Sequence, residues 1–316
     1  MWVLTRAVTC AAFAAGLIAF GAARAVPPGS ASFTAAATCE FRALAAQHPD
    51  RRLRNGDTLA GRLCPPQLLP REYEAARDVI DVDPESYAGY FYVNARTRYI
   101  DARLTKAIAE GAVQVVVLGA GFDSRAYRFH RAHPKIAFFE VDLPATIDAK
   151  RRALERALGA VPGYVRYVPF DFDTQTLQSA LARAGYEPAA RSFFILEGVT
   201  MYVSEGGVGA TLDFIGRNAA AGSRVVYDYI LRRVAEGHYD DLYAARKQAL
   251  GVASVGEPFV TGWTPQEAAT FAQQHGLAVR EELDAAALTR NYLAGSDGKP
   301  DGRIPEWYRV IEAEVR

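Results

Sequence analysis

Residues 115–129, VVVLGAGFDSRAYRF, place four apolar residues before Gly119-Ala120-Gly121 and an acid, Asp123, two residues later. Glycines after a buried strand let a ligand lie directly against the backbone. In open α/β sheets, ligands bind beyond the carboxyl ends of the strands. The later apolar runs end in acids too: Glu140 and Asp142, Asp171 and Asp173, Glu197, and Asp228. A dinucleotide fingerprint needs a third glycine, where this chain has Ser124. A pyrophosphate in the loop would also face the ring of acids. Like charges ~4 Å apart repel by about 4 kcal/mol at an effective dielectric of ~20, and Arg125 offsets only one of them.

A ligand with a nucleoside but no phosphate removes the conflict. S-adenosylmethionine has an adenine, a ribose, a positive sulfonium and a positive ammonium. Gly119 and Gly121 would accommodate its methionine part, Asp142 would accept the ribose hydroxyls, and the other acids, Asp123 among them, would tolerate its positive groups. Its one carboxylate needs a cation, and Arg96, on the preceding helical stretch, is the candidate.

The elements around these residues follow from periodicity. The segments 33–48 and 90–110 read as helices, the first with Phe33, Ala37, Phe41 and Leu44 on one face. From residue 114 the pattern changes to short β-branched or aromatic runs separated by helical segments. Strands are expected at 114–118, 135–142, 164–173, 191–202 and 223–230, with helices at 145–158, 174–185 and 207–220 between them. This alternation predicts an α/β fold, a mainly parallel sheet flanked by helices, with a helical N-terminal cap. After residue 230 the chain is less regular and reads as a helix plus loop over the carboxyl edge of the sheet. The runs FVTGW (259–263) and LAVREEL (277–283) read as closing strands around the helix 264–276.

The segments YFYVNARTRYIDARL, QVVVLGAGFDSRAYRF, FFEVDLPATIDAKR, VPFDFD and LEGVTMYV occur in that order. Together they resemble the S-adenosylmethionine-dependent methyltransferases of the leucine carboxyl methyltransferase family, in particular its bacterial branch, over roughly residues 32–290. The resemblance implies the class I (Rossmann-like) methyltransferase fold. It implies that Arg96 holds the cofactor carboxylate, that Gly119 underlies the methionine part and that Asp142 binds the ribose. It further implies that Asp171 and Phe172 flank the adenine, where the family often has Asp-Leu, and that Glu197 lies near the amino group. The expected reaction is methyl transfer to an oxygen, carboxylate or hydroxyl, of a small-molecule or peptide acceptor. A hydroxyl acceptor would need a base, and Tyr202, Asp228 and His238 are the nominees. The rival readings are a nicotinamide-dependent oxidoreductase, disfavoured by Asp123 and Ser124, and a cofactor-binding protein without turnover.

Composition sets the remaining bounds. Half of the 316 residues are hydrophobic, enough for a packed core. With 36 basic and 36 acidic residues the chain shows no electrostatic footprint for nucleic acid. Cys10, Cys39 and Cys64 form no CxxC pair and the five histidines are scattered, so neither a metal site nor a disulfide framework is expected. Arg6, an uncharged run over 7–23 and the site Ala23-Arg24-Ala25 have the layout of a secretory signal or a membrane anchor. The organisation expected is residues 1–26 as that segment, 27–110 as the cap and 111–316 as the core, in one structural unit with the cap. Because S-adenosylmethionine is a cytosolic cofactor, and because Arg24 and Arg42 follow the apolar run, a cytosol-facing enzyme domain is expected.

Overall fold

The valine run at residues 115–117 forms a strand buried on both faces, β1 (Gln114–Leu118), and the rest of the fold is arranged around it. The computed structural model describes residues 32–64, 69–170 and 175–316. Ahead of the strand lie four helices, α1 (Phe33–Ala45), α2 (Ala60–Leu63), α3 (Tyr73–Val82) and α4 (Gly89–Ala109). After it come α5 (Arg125–His130), β2 (Ala137–Asp142), α6 (Pro144–Leu158), β3 (Val165–Pro169), α7 (Leu177–Arg183), β4 (Ser192–Leu196), α8 (Glu205–Asn218) and β5 (Arg224–Ile230). The chain continues through α9 (Arg232–Ala235), α10 (Ala245–Ser254), α11 (Pro265–Gln274), β6 (Leu277–Leu283) and α12 (Ala285–Tyr292) to β7 (Tyr308–Val315).

The sheet order is β3-β2-β1-β4-β5-β7-β6, with β7 antiparallel to both its neighbours. Alternate side chains of β1 serve opposite layers. Val115 and Val117 join the core formed with α1, α4, α6 and α12, while Val116 and Leu118 join the core with α7, α8 and α11. Burial on both faces explains why the parallel strands read as unbroken apolar runs. The chain leaves β1 towards β2 on one side and returns in β4 on the other. That reversal opens a crevice between the carboxyl ends of β1 and β4, the usual ligand position in such sheets.

The expected mainly parallel sheet flanked by helices is present, with two corrections. Residues 259–263 are not a strand. They run as a loop in which Val260 N donates to Met201 O and Trp263 N donates to Ile230 O, at 2.8 and 3.0 Å. The seventh strand is Tyr308–Val315, a stretch not expected to form one. Its charges disguised it, because they are satisfied across strands: Arg224 pairs with Glu314 at 3.2 Å, Arg280 with Glu314 at 2.6 Å and Arg309 with Glu282 at 3.1 Å.

A third correction concerns the cysteines. Cys39 of α1 and Cys64, just after α2, form a disulfide with a Cα–Cα distance of 5.6 Å. Sequence spacing alone does not show that two residues 25 apart become neighbours when α2 folds back on α1. The apolar run at 7–23 lies outside the described residues. Among the described residues no helix is long and apolar enough to cross a membrane, and no His, Cys, Asp and Glu cluster could hold a metal ion.

The disulfide closes a loop of 25 residues in the unfolded chain, which removes entropy worth roughly 2–4 kcal/mol. Urea unfolding should therefore show a lower midpoint in dithiothreitol than without it. The Cys39→Ala/Cys64→Ala variant should show the lower midpoint under both conditions. Equal midpoints for the wild type would contradict a stabilising bridge.

Candidate functional site

A cavity of about 2390 Å³ lies at the β1–β4 crevice. Its floor is the loop after β1, the end of β2 and the turn after β4, and its roof comes from α1, α3 and α10. Gly119 and Gly121 take positive φ, +66° and +42°, the region that favours glycine. A side chain on Gly119 would also overlap Val199, and one on Gly121 would press on Ala35 of α1 at 3.1 Å. The loop is tied to β2 by bonds from Gly119 N and Ala120 N to Val141 O, at 2.8 and 3.1 Å. Beneath it, Lys150 of α6 pairs with the buried Glu140 at 2.8 Å, and Tyr127 donates to the same carboxylate at 3.0 Å. Burial pushes Glu140 up to about 7, against the opposing pull of Lys150.

Glu140 and Asp142 take different roles although residues two apart share one face of a strand, because Asp142 ends β2 at the cavity and Glu140 lies one step deeper. Glu140 is sealed in the core, whereas Asp142 lines the cavity. Asp142 accepts from Gly121 N at 2.6 Å and from Leu143 N at 2.7 Å. Each oxygen keeps a further lone pair. Burial raises its pKa, and the two backbone N–H groups work against that rise.

The opposite wall is a buried file of alternating charges. Asp228 of β5 accepts from Arg96 Nη1, from Gly198 N at 2.6 Å and from Tyr92 OH at 3.0 Å. Arg96 of α4 donates through Nε to Glu197 at 3.0 Å. Glu197, in the turn after β4, also accepts from Arg125 Nη1, and Arg125 pairs in turn with Asp123 and, at 2.7 Å, with Asp101. Burial alone would raise Glu197, but Arg125 and Arg96 outweigh it and hold the carboxyl well below the usual range. Burial alone would depress Arg96, and Asp228 and Glu197 outweigh it in the same way.

The expected residues mostly converge. Arg96, Gly119, Gly121, Asp123, Asp142, Glu197 and Tyr202 all line the one cavity. Asp123 has a second duty, accepting from Arg125 N at 2.6 Å at the start of α5. Asp171 and Phe172 lie outside the described residues. Two of the three nominated bases are ill placed. Asp228 is buried and committed to Arg96, Gly198 and Tyr92, so it positions those groups. His238 has a 69% exposed side chain beside Glu236 and is not part of the cavity lining. Tyr202 is on the wall, packed 5.5 Å from Phe259, and burial raises its hydroxyl well above the ordinary tyrosine range.

Three contributors were not expected from the sequence. Arg125 stood next to Asp123 as a local offset, yet it joins α4, α5 and the β4 turn. Glu257 accepts from Phe33 N and Thr34 N, both at 2.9 Å, and so fixes the first turn of α1 over the cavity. Tyr308, at the start of β7, stacks on Tyr92 at 4.0 Å and donates to Gln248 of α10 at 2.8 Å. Glu257 and Tyr308 sit in stretches with no motif around them, and only the fold brings them to the site.

The donor set fits S-adenosylmethionine. Arg96 makes its two side-chain hydrogen bonds through Nε and Nη1, leaving Nη2, beside Gly198, for a carboxylate. Glu197 is an ionised acceptor for an ammonium, Asp142 has spare lone pairs for ribose hydroxyls, and Gly119 lines the cavity with no side chain of its own. A pyrophosphate would meet Asp142 and Glu197 with Arg96 Nη2 as its one unused cationic partner among the described residues of the wall.

Comparison with known proteins agrees. Residues 35–216 match the leucine carboxyl methyltransferase family. A Bacillus subtilis protein provisionally named an S-adenosyl-L-methionine-dependent methyltransferase is 31% identical over 191 residues, 60% of this chain and 62% of its own length. Proteins with the same provisional name from Streptomyces coelicolor and Frankia alni are each 35% identical, over 63% and 53% of this chain and 69% and 58% of theirs. The chain thus spans under two thirds of the Bacillus relative's length. With the family's match covering more than half of the sequence, on a sheet of order β3-β2-β1-β4-β5-β7-β6, the chain belongs to the leucine carboxyl methyltransferase family.

Proposed function

We propose that the protein is an S-adenosylmethionine-dependent methyltransferase whose acceptor is a carboxylate oxygen. The observation that carries the cofactor reading is the charged wall, in which Glu197 is kept ionised between two arginines while Arg96 retains an unused nitrogen. S-adenosylmethionine supplies a methyl group on a sulfonium, which is already activated for displacement.

The work left to the protein is alignment and exclusion of water. Gly119 and Gly121 let the cofactor settle against the backbone. Asp142 and Arg96 fix its two ends, and α1 is held across it by Glu257. None of the nominated bases is suited to deprotonate a hydroxyl. Asp228 is committed to an arginine, His238 is remote and the hydroxyl of Tyr202 is held protonated by burial. A carboxylate acceptor needs no base, since it is ionised near neutral pH. The family's name points the same way.

Two outcomes test this reading. Asp142→Asn should weaken S-adenosylhomocysteine binding by about 1.5–3 kcal/mol through loss of charged-acceptor hydrogen bonds, with an unchanged circular dichroism spectrum. In the wild type, Asp142 binds as a carboxylate and burial has raised its pKa. Affinity should therefore fall as pH drops through that raised pKa, while the weak binding of the variant stays flat. Wild-type affinity in a folded Asp142→Asn protein would show that the ribose lies elsewhere.

The second outcome concerns the acceptor. Methyl transfer from radiolabelled S-adenosylmethionine should give a base-labile ester, at a rate independent of pH from about 6.5 to 9, because the acceptor is ionised throughout. A rate rising about tenfold per pH unit over that range would instead show a hydroxyl acceptor and a titrating base.

A further inference from the structure

We infer that the acceptor is a lipophilic monocarboxylic acid with a long or polycyclic apolar body, which enters between α3 and α10. This rests on the methyl-transfer reading above and adds the substrate class. Clefts for drug-sized ligands span about 300–1,000 Å³, so a cavity of about 2390 Å³ holds the cofactor and a second molecule of at least that size.

The part of the cavity beyond the cofactor residues is walled by Phe41, Met201, Tyr202, Phe259 and Tyr308. Large apolar side chains stand exposed at its rim among charged ones such as Asp83, Glu236 and Lys247. Seven large hydrophobic side chains are exposed among the described residues, and four of them, Val82, Leu143, Leu250 and Val260, line this one cavity. Val82 ends α3 at 86% exposure and Leu250 of α10 is 57% exposed. Exposed apolar side chains gathered on one cavity suit an apolar ligand.

Charge narrows the class further. Four cationic side chains line the cavity, and each is already paired: Arg42 with Asp57, Arg96 with Glu197 and Asp228, Arg232 with Glu267, and Lys247 with Asp83. Acidic side chains outnumber them eight to four. An acceptor with several negative charges, such as a phosphate-bearing thioester, is repelled. A single carboxylate is compensated by the one net positive charge of the cofactor. Binding energy then has to come from the apolar body, at about fourfold in affinity per buried methylene.

The test is calorimetry on the full chain saturated with sinefungin, an unreactive analogue whose amine keeps the positive charge of the sulfonium, titrated with octanoate, dodecanoate and an acetylated tripeptide ending in leucine. Dodecanoate should bind at least tenfold more tightly than octanoate, and the peptide more weakly than dodecanoate. Val82→Asp and Leu250→Asp, both at exposed positions, should weaken dodecanoate at least fivefold and leave the affinity for S-adenosylhomocysteine unchanged. Equal affinities for the two fatty acids, tighter binding of the peptide, or variants that bind dodecanoate like the wild type would overturn the acceptor class. The methyl-transfer reading would survive any of these. Failure of S-adenosylhomocysteine itself to bind would overturn both.

Discussion

The pairing of Glu197 with Arg96 on one side and Arg125 on the other is the constraint on which the site depends. Through these three side chains the long helix α4, the turn after β4 and the start of α5 are fixed to one another. Asp228 and Asp101 extend the file at its two ends. Charges so deeply buried are stable only as a set. Removing one partner from a buried pair costs about 3–5 kcal/mol because the other is left uncompensated. In the proposed function the same file would meet the zwitterionic end of the cofactor, since Glu197 is held ionised and one arginine nitrogen remains unused. Stability and ligand choice here come from the same residues.

The other side of the site is held by a second buried pair. Lys150 and Glu140 lie under the glycine loop, and the Lys150 ammonium lies 3.4 Å from Ala120 O. They set the level of the loop, while Gly121 N and Leu143 N set the orientation of Asp142. The roof is held by fewer bonds, chiefly Glu257 on the first turn of α1 and Arg42 donating to Phe122 O at 2.9 Å. The disulfide to Cys64 anchors the same helix. Disulfides persist in oxidising surroundings, whereas the cofactor is cytosolic, so the bridge and the cofactor set opposing demands on where the chain works.

How much of this was legible in the sequence depended on whether the signal was local. The parallel strands were readable because burial on both faces leaves unbroken apolar runs ending in glycines or acids. Asp142 was separable from Glu140 because it is the last residue of its apolar run, at the carboxyl end where ligands bind. Tyr308–Val315 was not readable as a strand, since Arg309, Glu312 and Glu314 resemble a solvated tail until the partners on β5 and β6 are known. FVTGW had strand-like composition, but its hydrogen bonds go to Met201 and Ile230 in a loop. Asp228 was correctly placed in the fifth strand and nominated as a base, a role its surroundings do not suit. Its commitment to Arg96 is a tertiary contact 132 residues away in sequence. His238 offered only a titratable side chain, and nothing in its surroundings puts it to use.

The central claim is that the acid-lined loop and the arginine file select a sulfonium nucleoside over a dinucleotide. Isothermal titration of the full chain with S-adenosylhomocysteine and, separately, with NADH tests it most directly. The account predicts micromolar or tighter binding of S-adenosylhomocysteine and no measurable heat from NADH under the same conditions. NADH binding of comparable strength would contradict it.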